Sequence, residues 1–140
     1  MTKGVVVSFH NYQGIREFYQ PMFEYFAFNL NKWKEEINTL YLMDSNWNFT
    51  IEDLTKLPKA KDLRVEVIPS DPNVRYYDIY KNFLPKIQES HVLFMDNAMV
   101  VYREGIVADT FEKLKKYDVV SIYDTIGESN EMIHHLSVCI

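Results

Sequence analysis

The chain lacks the residues and motifs on which several classes of protein depend. It contains a single cysteine, Cys139, which excludes an internal disulfide and a cysteine-rich zinc site. The segment that follows the first apolar run, SFHNYQG, contains neither GxGxxG nor GxxxxGK[ST], so a Rossmann dinucleotide site and a P-loop lose their main support. GxSxG and HExxH are absent too, which removes a hydrolase elbow and a helical zinc-protease site.

The chain also has fewer basic than acidic residues. With 15 basic and 20 acidic residues, the net charge of -5 disfavours non-specific binding to nucleic acid or to acidic membranes, which requires clustered Lys and Arg. A mildly acidic protein can still bind a phosphorylated ligand where a metal ion or a helix N-terminus offsets the charge.

Long apolar runs are missing as well. No stretch approaches the roughly 20 apolar residues of a transmembrane helix, and the N-terminal GVVVSF is too short to be a signal peptide. A lone cysteine fits a reducing compartment. We therefore expect a cytoplasmic protein without a transmembrane segment.

What remains is the composition of one ordinary globular domain over residues 1–140, with 47% hydrophobic and 25% charged residues. Short apolar, β-branched runs predict strands, and steps of three and four between apolar residues predict helices. The predicted strands are Val5–Phe9, Ile37–Met43, Leu63–Ile68, the run that begins at His91 and Asp118–Tyr123, with one more strand and a short helix in the tail NEMIHHLSVCI.

The predicted helices fall between these strands. One runs from about Tyr19 to Glu36, because Pro21 is tolerated only in a first turn and leaves His10–Phe18 as a loop. Thr50 and Asp53 resemble a capping box that opens a short helix through Lys56. Two further helices are marked by Val74, Tyr77, Tyr80, Leu84 and Ile87, with a break at Pro85, and by Phe111, Leu114 and Tyr117 on one face.

This alternation predicts an α/β fold, a single three-layer domain with a mostly parallel sheet and helices on both faces. In such folds, ligands bind beyond the carboxyl ends of the strands. Polar residues follow each predicted strand: His10, Asn11 and Gln13, then Asp44, Ser45 and Asn46, then Ser70, Asp71 and Asn73, then Asp96 and Asn97, and finally Asp124. Turns are rich in such residues for conformational reasons, so each one could equally serve a turn.

Three stretches of the chain resemble the GT-A glycosyltransferases. They are VVVSFHN, INTLYLMDSN and, most specifically, YYDIYKNFLPKIQESHVLFMDNAMVV, in which a helix, "LP" and an apolar strand lead to an acid. The segment YREGIVADTFEKLKKYDVVSIYD continues the pattern, so the resemblance covers residues 4 to about 127. It implies a GT-A, nucleotide-diphospho-sugar transferase-like fold that binds a nucleoside diphosphate sugar and a glycan, protein or lipid acceptor.

The resemblance also implies a metal site. In the family, an Asp-x-Asp motif holds a divalent cation, Mn²⁺ or Mg²⁺, which stabilises the leaving diphosphate as a Lewis acid. Here the motif reads Asp96-Asn97-Ala98, so Asp96 is the predicted metal ligand while alanine stands in place of the second acid. His134 or His135 could complete the site from the tail, although neighbouring histidines lack the spacing of a ligand pair on one helical face.

Other roles follow from the same resemblance. Asp44 is the predicted contact to the base or ribose, with a turn role as its alternative. His10 and Asn11 would lie against the base, and Arg75 would meet a phosphate, unless it is an ordinary solvated charge. Asp124 is the predicted catalytic base, favoured over Glu128 and Glu131 by its position at the end of a predicted strand. Because family enzymes usually continue beyond this point, the resemblance also suggests a chain truncated at its carboxyl end.

Three functions are consistent with these residues. The first is a glycosyltransferase or its nucleotide-sugar-binding part. The second is a nucleotidyltransferase, which usually needs a glycine-rich basic loop after the first strand, where only Gly14 and Arg16 are available. The third is a catalytically degenerate binding or assembly module, which the alanine at position 98 favours.

Overall fold

A computed structural model describes residues 1–11, 16–71, 73, 81–97, 100–118, 120–122 and 137–139. Six strands lie in one sheet, and three α-helices are seen among these residues. The strands are β1 (Lys3–His10), β2 (Thr39–Ser45), β3 (Arg64–Ser70), β4 (His91–Asp96), β5 (Val120–Ile122) and β6 (Ser137–Cys139), and the helices are α1 (Arg16–Leu30), α2 (Ile51–Thr55) and α3 (Ile106–Lys113).

The strand order of the sheet is β3-β2-β1-β4-β6-β5. The first four strands run parallel to one another, and β6 lies antiparallel between β4 and β5. The chain thus builds outward from β1 through β2 to β3 and then returns to the other side of β1 with β4. This reversal between β1 and β4 is the switch point at which open α/β sheets place their ligands. The predicted α/β class with a mostly parallel sheet is confirmed.

Helical segments cover both faces of the sheet, which gives the three layers that the alternation predicts. On one face, here called the α1 face, Val7, Leu42 and Leu93 pack against α1 and α3. On the second face, residues such as Val6 and Met43 pack against the side chains that follow β3 in the chain, Phe83 and Ile87. The described core is therefore divided by the sheet into a larger and a smaller cluster. No helix among the described residues is long and apolar enough to cross a membrane.

Helix α1 differs from its predicted bounds at both ends. It begins at Arg16, so Pro21 lies inside the helix rather than in its first turn, and the predicted loop is shorter. At its other end, Trp33 N–H donates to Leu30 O at 3.1 Å and Lys32 N–H to Asn29 O at 3.0 Å. These bonds to the third preceding residue tighten the chain into 3₁₀ geometry, which carries the segment on to Glu36 as a 3₁₀ helix rather than as α-helix.

The remaining elements follow the prediction with shifted ends. Strands β2 and β3 begin at Thr39 and Arg64 and continue into the polar residues Ser45 and Ser70. The capping box of α2 is present, with Thr50 and Asp53 bonded reciprocally. Residues 81–83 are helical and 84–86 form a 3₁₀ helix that contains the proline of the predicted break. The first residues of that predicted helix, 74–80, lie outside the described part of the chain.

The last described helix is shorter than predicted. Helix α3 ends at Lys113, so Tyr117 no longer lies on the buried helical face and is 53% exposed, whereas Phe111 is buried as predicted. Strand β5 is described over Val120–Ile122, within the predicted strand Asp118–Tyr123, whose residues 119 and 123 lie outside the described part of the chain. The predicted strand in the tail is confirmed as β6, while the helix predicted before it lies outside the described residues.

The N-terminus of α3 is capped by a residue distant in sequence. The carboxylate of Glu36 accepts the backbone N–H of Gly105 and that of Ala108, each at 2.9 Å, because the N-cap position is a glycine without a side-chain acceptor. A carboxylate there satisfies two unpaired amides and complements the positive end of the helix dipole. The contact fastens α3 to the 3₁₀ helix that follows α1.

We expect Glu36→Ala to destabilise the protein by about 1–2 kcal/mol, the usual cost of a lost N-cap. Urea unfolding at neutral pH measures the change. The control is Glu35→Ala at the neighbouring exposed acid, which should lie within ~0.5 kcal/mol of wild type. Equal effects of the two substitutions would rule out the capping role.

Candidate functional site

One row of polar side chains lies at the carboxyl ends of the four parallel strands, on the second face of the sheet. In the strand register, His10 pairs with Ser45, and Ser45 pairs with Ser70. One step earlier, Ser8 pairs with Asp96 across β1 and β4. Side chains of paired residues in parallel strands point to the same face, and alternate residues share a face. We call these five residues the carboxyl-edge row.

The apolar neighbours confirm which face the row occupies. Met43 and Ile68 lie in the core cluster of the second face and immediately precede Ser45 and Ser70 on that face. Phe94 belongs to the same cluster and precedes Asp96 in the same way. The second face thus changes from apolar to polar near the carboxyl end of each of the four parallel strands: at Ser8 and Asp96 on β1 and β4, and one step later, at Ser45 and Ser70, on β2 and β3.

The adjacent positions on the α1 face have a different character. There the register places Phe9, Asp44 and Pro69 side by side. Asp44 is the sole polar member of that set, and its carboxylate accepts hydrogen bonds from the loop that follows β2. Oδ1 accepts the backbone N–H of Trp47 at 2.8 Å and of Asn48 at 2.9 Å, while Oδ2 accepts that of Phe49 at 2.9 Å. The structure therefore shows Asp44 in a turn role, and its predicted contact to the base or ribose stays a prediction.

Two asparagines in the loop held by Asp44 have unusual backbone conformations. Asn46 and Asn48 adopt left-handed backbone conformations with φ of 62° and 59°, which asparagine tolerates better than most residues. The side chain of Asn46 donates to the backbone oxygen of Asn11 at 3.1 Å, and Asn11 N–H donates to Ser45 O at 3.0 Å. These bonds extend the β1–β2 ladder by one residue and fix the positions of Asn11 and Ser45 at the edge of the sheet.

We expect Asp44→Ala to destabilise the protein by about 2–4 kcal/mol, because hydrogen bonds to a charged group contribute about 1.5–3 kcal/mol each and do not add fully. Chemical denaturation at neutral pH measures the loss. Asp62→Ala removes an exposed acid of the same type and should change the stability by less than ~0.5 kcal/mol. A destabilisation by Asp44→Ala no larger than that of its control would contradict the role in the loop.

The two predicted contacts at the end of β1 have different surroundings. Asn11 is 3% exposed, and its side-chain Oδ1 has no hydrogen-bond partner among the described residues. His10 is half-buried on β1, beside Ser45 in the strand register, and burial lowers the pKa of its imidazole below the ordinary 6.5. The His10 ring is therefore neutral at physiological pH and adds no positive charge to the row.

Asp96 lies where the strand order reverses. It ends β4 directly beside Ser8 of β1, and the backbone N–H of Asn97 donates to Ser8 O at 3.2 Å, which continues the ladder past the acid. Its side chain is half-buried. The structure thus brings Asp96 and His10 to the same face and edge, while Asp44 lies on the other face. Sequence reasoning named the strand ends but missed Ser8, Ser45 and Ser70 as one set, since register between strands is not written in the sequence.

The described residues do not form a complete cation site by themselves. Within them, no group of three or more His, Cys, Asp or Glu side chains could hold a metal ion. Asp96 is the one carboxylate of the carboxyl-edge row. Mg²⁺ is commonly held by one or two carboxylates together with substrate phosphates and water, so a single acid fits a cation that arrives with its ligand. Five predicted site residues lie outside the described residues: Arg75, Ala98, Asp124, His134 and His135.

Comparison with known proteins defines the fold and leaves the family open. No protein family matches the sequence, and no curated protein is similar to it. Solved structures do match. The 4-diphosphocytidyl-2C-methyl-D-erythritol synthase of Anaerococcus prevotii superposes with a TM-score of 0.63 at 12% identity, over 99% of this chain and 69% of that one.

Two longer proteins match over part of their length. The bifunctional IspDF of Campylobacter jejuni gives a TM-score of 0.58 at 17% identity, over 100% of this chain and 39% of that one. TarS of S. aureus gives 0.56 at 16% identity, over 94% of this chain and 39% of that one. At these identities the likeness shows the fold alone. The chain shares the GT-A- and IspD-like α/β fold of these structures.

Proposed function

We propose that this chain binds a nucleoside diphosphate sugar at the carboxyl edge of its sheet, as a glycosyltransferase or as the nucleotide-sugar-binding part of one. The observation that carries the proposal is the carboxyl-edge row, which crosses the reversal of strand order between β1 and β4 and ends at Asp96 on β4. Open α/β sheets bind ligands at that position. The shared fold with nucleotide-using transferases supports the same choice.

The residues take distinct roles in this proposal. Asn11 and the loop held by Asp44 lie at the ends of β1 and β2, where the base would rest against fixed backbone. Asp96 would ligate a divalent cation, Mn²⁺ or Mg²⁺, that offsets the charge of the diphosphate. When bound, the cation supplies charge stabilisation of the departing phosphate. Two further roles are proposed from the sequence alone. Arg75 would contact a phosphate, and Asp124 would act as the general base.

A calorimetric screen tests this function. Uridine and guanosine diphosphates, and a diphosphate sugar of each, are titrated into the protein with and without Mn²⁺. We expect heat from at least one nucleotide, and tighter binding when the cation is present. Absence of detectable heat from all of them would reject the proposal for this chain.

A second candidate function is nucleotidyl transfer. It is favoured by the superposition on a 4-diphosphocytidyl-2C-methyl-D-erythritol synthase, whose name denotes a nucleotidyl-linked product. Binding of a nucleoside triphosphate in preference to the diphosphate sugar, together with release of pyrophosphate, would select this candidate. Intact nucleotide binding without transfer or hydrolysis would select the non-catalytic module instead.

A further inference from the structure

Strand β3 forms one edge of the sheet, and its outer side is open to solvent. Within the described part of the chain, β2 is the one strand that pairs with it. Arg64 N–H donates to Asn38 O at 2.9 Å, so Arg64 and every second residue after it direct their backbone groups toward β2. Val65, Val67 and Pro69 therefore direct theirs away from the sheet. Val65 is 36% exposed and Pro69 is exposed as well, so solvent reaches this side of the strand.

Pro69 protects the carboxyl-terminal half of this open edge. Proline at an outward position has no N–H to offer, which is a common way to prevent a further strand from pairing. The amino-terminal half has a different character. Val65 and Val67 each direct an N–H and a C=O outward, and Leu63 directs its C=O outward while its N–H donates to Ala60 O at 3.3 Å. These groups are able to pair with another strand.

The side chains around Val65 are self-complementary. If two copies of β3 pair antiparallel about Val65, position 64 of one copy lies opposite position 66 of the other. Arg64 then faces Glu66 on the second face of the sheet. On the α1 face, Val65 meets Val65 of the second copy, and Leu63 meets Val67. Opposite charges and β-branched side chains directly across from one another stabilise antiparallel strands.

The charges and the backbone select the same register. Arg64 and Glu66 already form an ion pair at 3.2 Å within one copy, with 46% and 36% of their side chains exposed, and a second copy would extend this pair to a network of four alternating charges. Centred on Val65, the two strands exchange two hydrogen bonds between the Val65 residues and two from Val67 N–H to Leu63 O. A shift of the centre to Val67 places Arg64 and Glu66 opposite uncharged residues.

We propose that two copies of this chain associate through β3, antiparallel about a two-fold axis at Val65, which joins their two sheets into one. The inference goes beyond the proposed function and does not depend on it. Because the paired strands are antiparallel, the carboxyl edges of the two sheets lie at opposite ends, and both stay open. One pair of short strands buries less than the roughly 800 Å² per partner of a standard interface, so the dimer is weak and reversible.

Sedimentation equilibrium of the whole chain, from about 1 µM to about 500 µM protein, tests this dimer. Val65→Lys places two lysines opposite each other, and Glu66→Lys places each new lysine opposite Arg64. We expect each substitution to raise the dimer dissociation constant roughly tenfold or more, because like charges directly opposite destabilise paired strands. The matched controls are Ile51→Lys, at an apolar residue that is 83% exposed on α2, and Glu35→Lys, at an exposed acid. Both controls should stay within about twofold of wild type.

Amide hydrogen exchange of wild type locates the interface without any substitution. The amides of Val65 and Val67 should exchange rapidly in dilute protein and more slowly in concentrated protein, while that of Arg64, bonded to Asn38, is protected in both. A wild type that is monomeric at every concentration would overturn the inference. So would a dimer that survives both edge substitutions, or exchange at Val65 and Val67 that does not depend on concentration. Each of these results leaves the proposed nucleotide binding standing.

Discussion

Glu89→Ala should destabilise the protein by about 2–4 kcal/mol. Glu89 lies just before β4, with a side chain that is 5% exposed, and it is the centre of a polar cluster at the amino edge of the sheet. Its carboxylate accepts the hydroxyl of Thr39 and, at 2.6 Å, that of Tyr41. The guanidinium of Arg64 lies 3.2 Å away. Loss of the acid leaves two buried hydroxyls without their acceptor, while half-exposed Arg64 returns to solvent.

Urea unfolding measures this loss, with Glu112→Ala as the control. Glu112 and Lys115 form an ion pair at 2.7 Å, but both side chains are more than half exposed, so its removal should cost under ~1 kcal/mol. A Glu89→Ala variant as stable as the control would show that the cluster is dispensable.

Gly4 provides an independent check on the same cluster. A Cβ at position 4 would lie 3.3 Å from Cγ and from Oε2 of Glu89, so Gly4→Ala should destabilise the wild-type protein. In the Glu89→Ala background the crowding is gone, and the same substitution should be neutral or stabilising, as alanine usually is in place of glycine in a strand. A double-mutant cycle measures this coupling. Additive effects would contradict the packing described here.

The cluster also predicts how stability depends on pH. Burial by itself would raise the pKa of Glu89, but hydrogen bonds from Thr39 and Tyr41 and the charge of Arg64 together hold the pKa below its ordinary 4.5. A carboxyl whose pKa is lower in the folded state contributes stability above its unfolded pKa and loses it as pH falls through the folded pKa. Wild type should therefore lose stability below about pH 4.5 more steeply than Glu89→Gln. Equal slopes would contradict this account.

Asp96→Asn should weaken cation-dependent nucleotide binding by on the order of 10–100-fold, while the protein stays folded. The substitution keeps the size of the side chain and removes the charge that would hold the cation. With Mn²⁺ and a nucleoside diphosphate in hundredfold excess over Kd, wild type should gain about 2.7 kcal/mol of stability, and the variant should lose most of that gain. Thermal unfolding with and without ligand measures both.

The matched control for Asp96 is Asp71→Asn. Asp71 is an exposed acid just beyond the end of β3, outside the carboxyl-edge row, and one of its oxygens accepts the N–H of Asn73. This control tests whether ligand binding depends on the position of the negative charge or only on the total negative charge at this edge. If both variants lose the ligand-induced stabilisation to the same extent, Asp96 has no specific role in binding the cation.

The sequence predicted the layers of this fold well because its strands are short, apolar and widely separated by helical patterns. The capping box at Thr50 is a local signal and was confirmed with its hydrogen bonds. The bounds of α1 were wrong because hydrophobic periodicity does not distinguish an α-helix from the 3₁₀ geometry that ends at Glu36. Nor does it show that a helix can start five residues before Pro21.

The site was predictable in part. Its place at the strand ends followed from the α/β pattern, and Asp96 was named from the sequence. Asp44 was predicted to contact the base or ribose. Its oxygens accept three backbone amides of its own loop, and local sequence spacing cannot distinguish that role from ligand binding. Ser45 and Ser70 were named from the sequence only as polar residues that follow predicted strands, and Ser8 was not named. Only the register of β1, β2 and β3 places Ser45 between His10 and Ser70.

The most direct test of ligand binding at the carboxyl edge is an amide NMR titration with a nucleoside diphosphate sugar and Mg²⁺. The amides of Ser8, His10, Ser45, Ser70 and Asp96 should shift on binding. Those of Thr39, Arg64 and Glu89, at the opposite edge of the same strands, should stay in place. Shifts confined to that opposite edge, or no shifts at saturating ligand, would contradict the account.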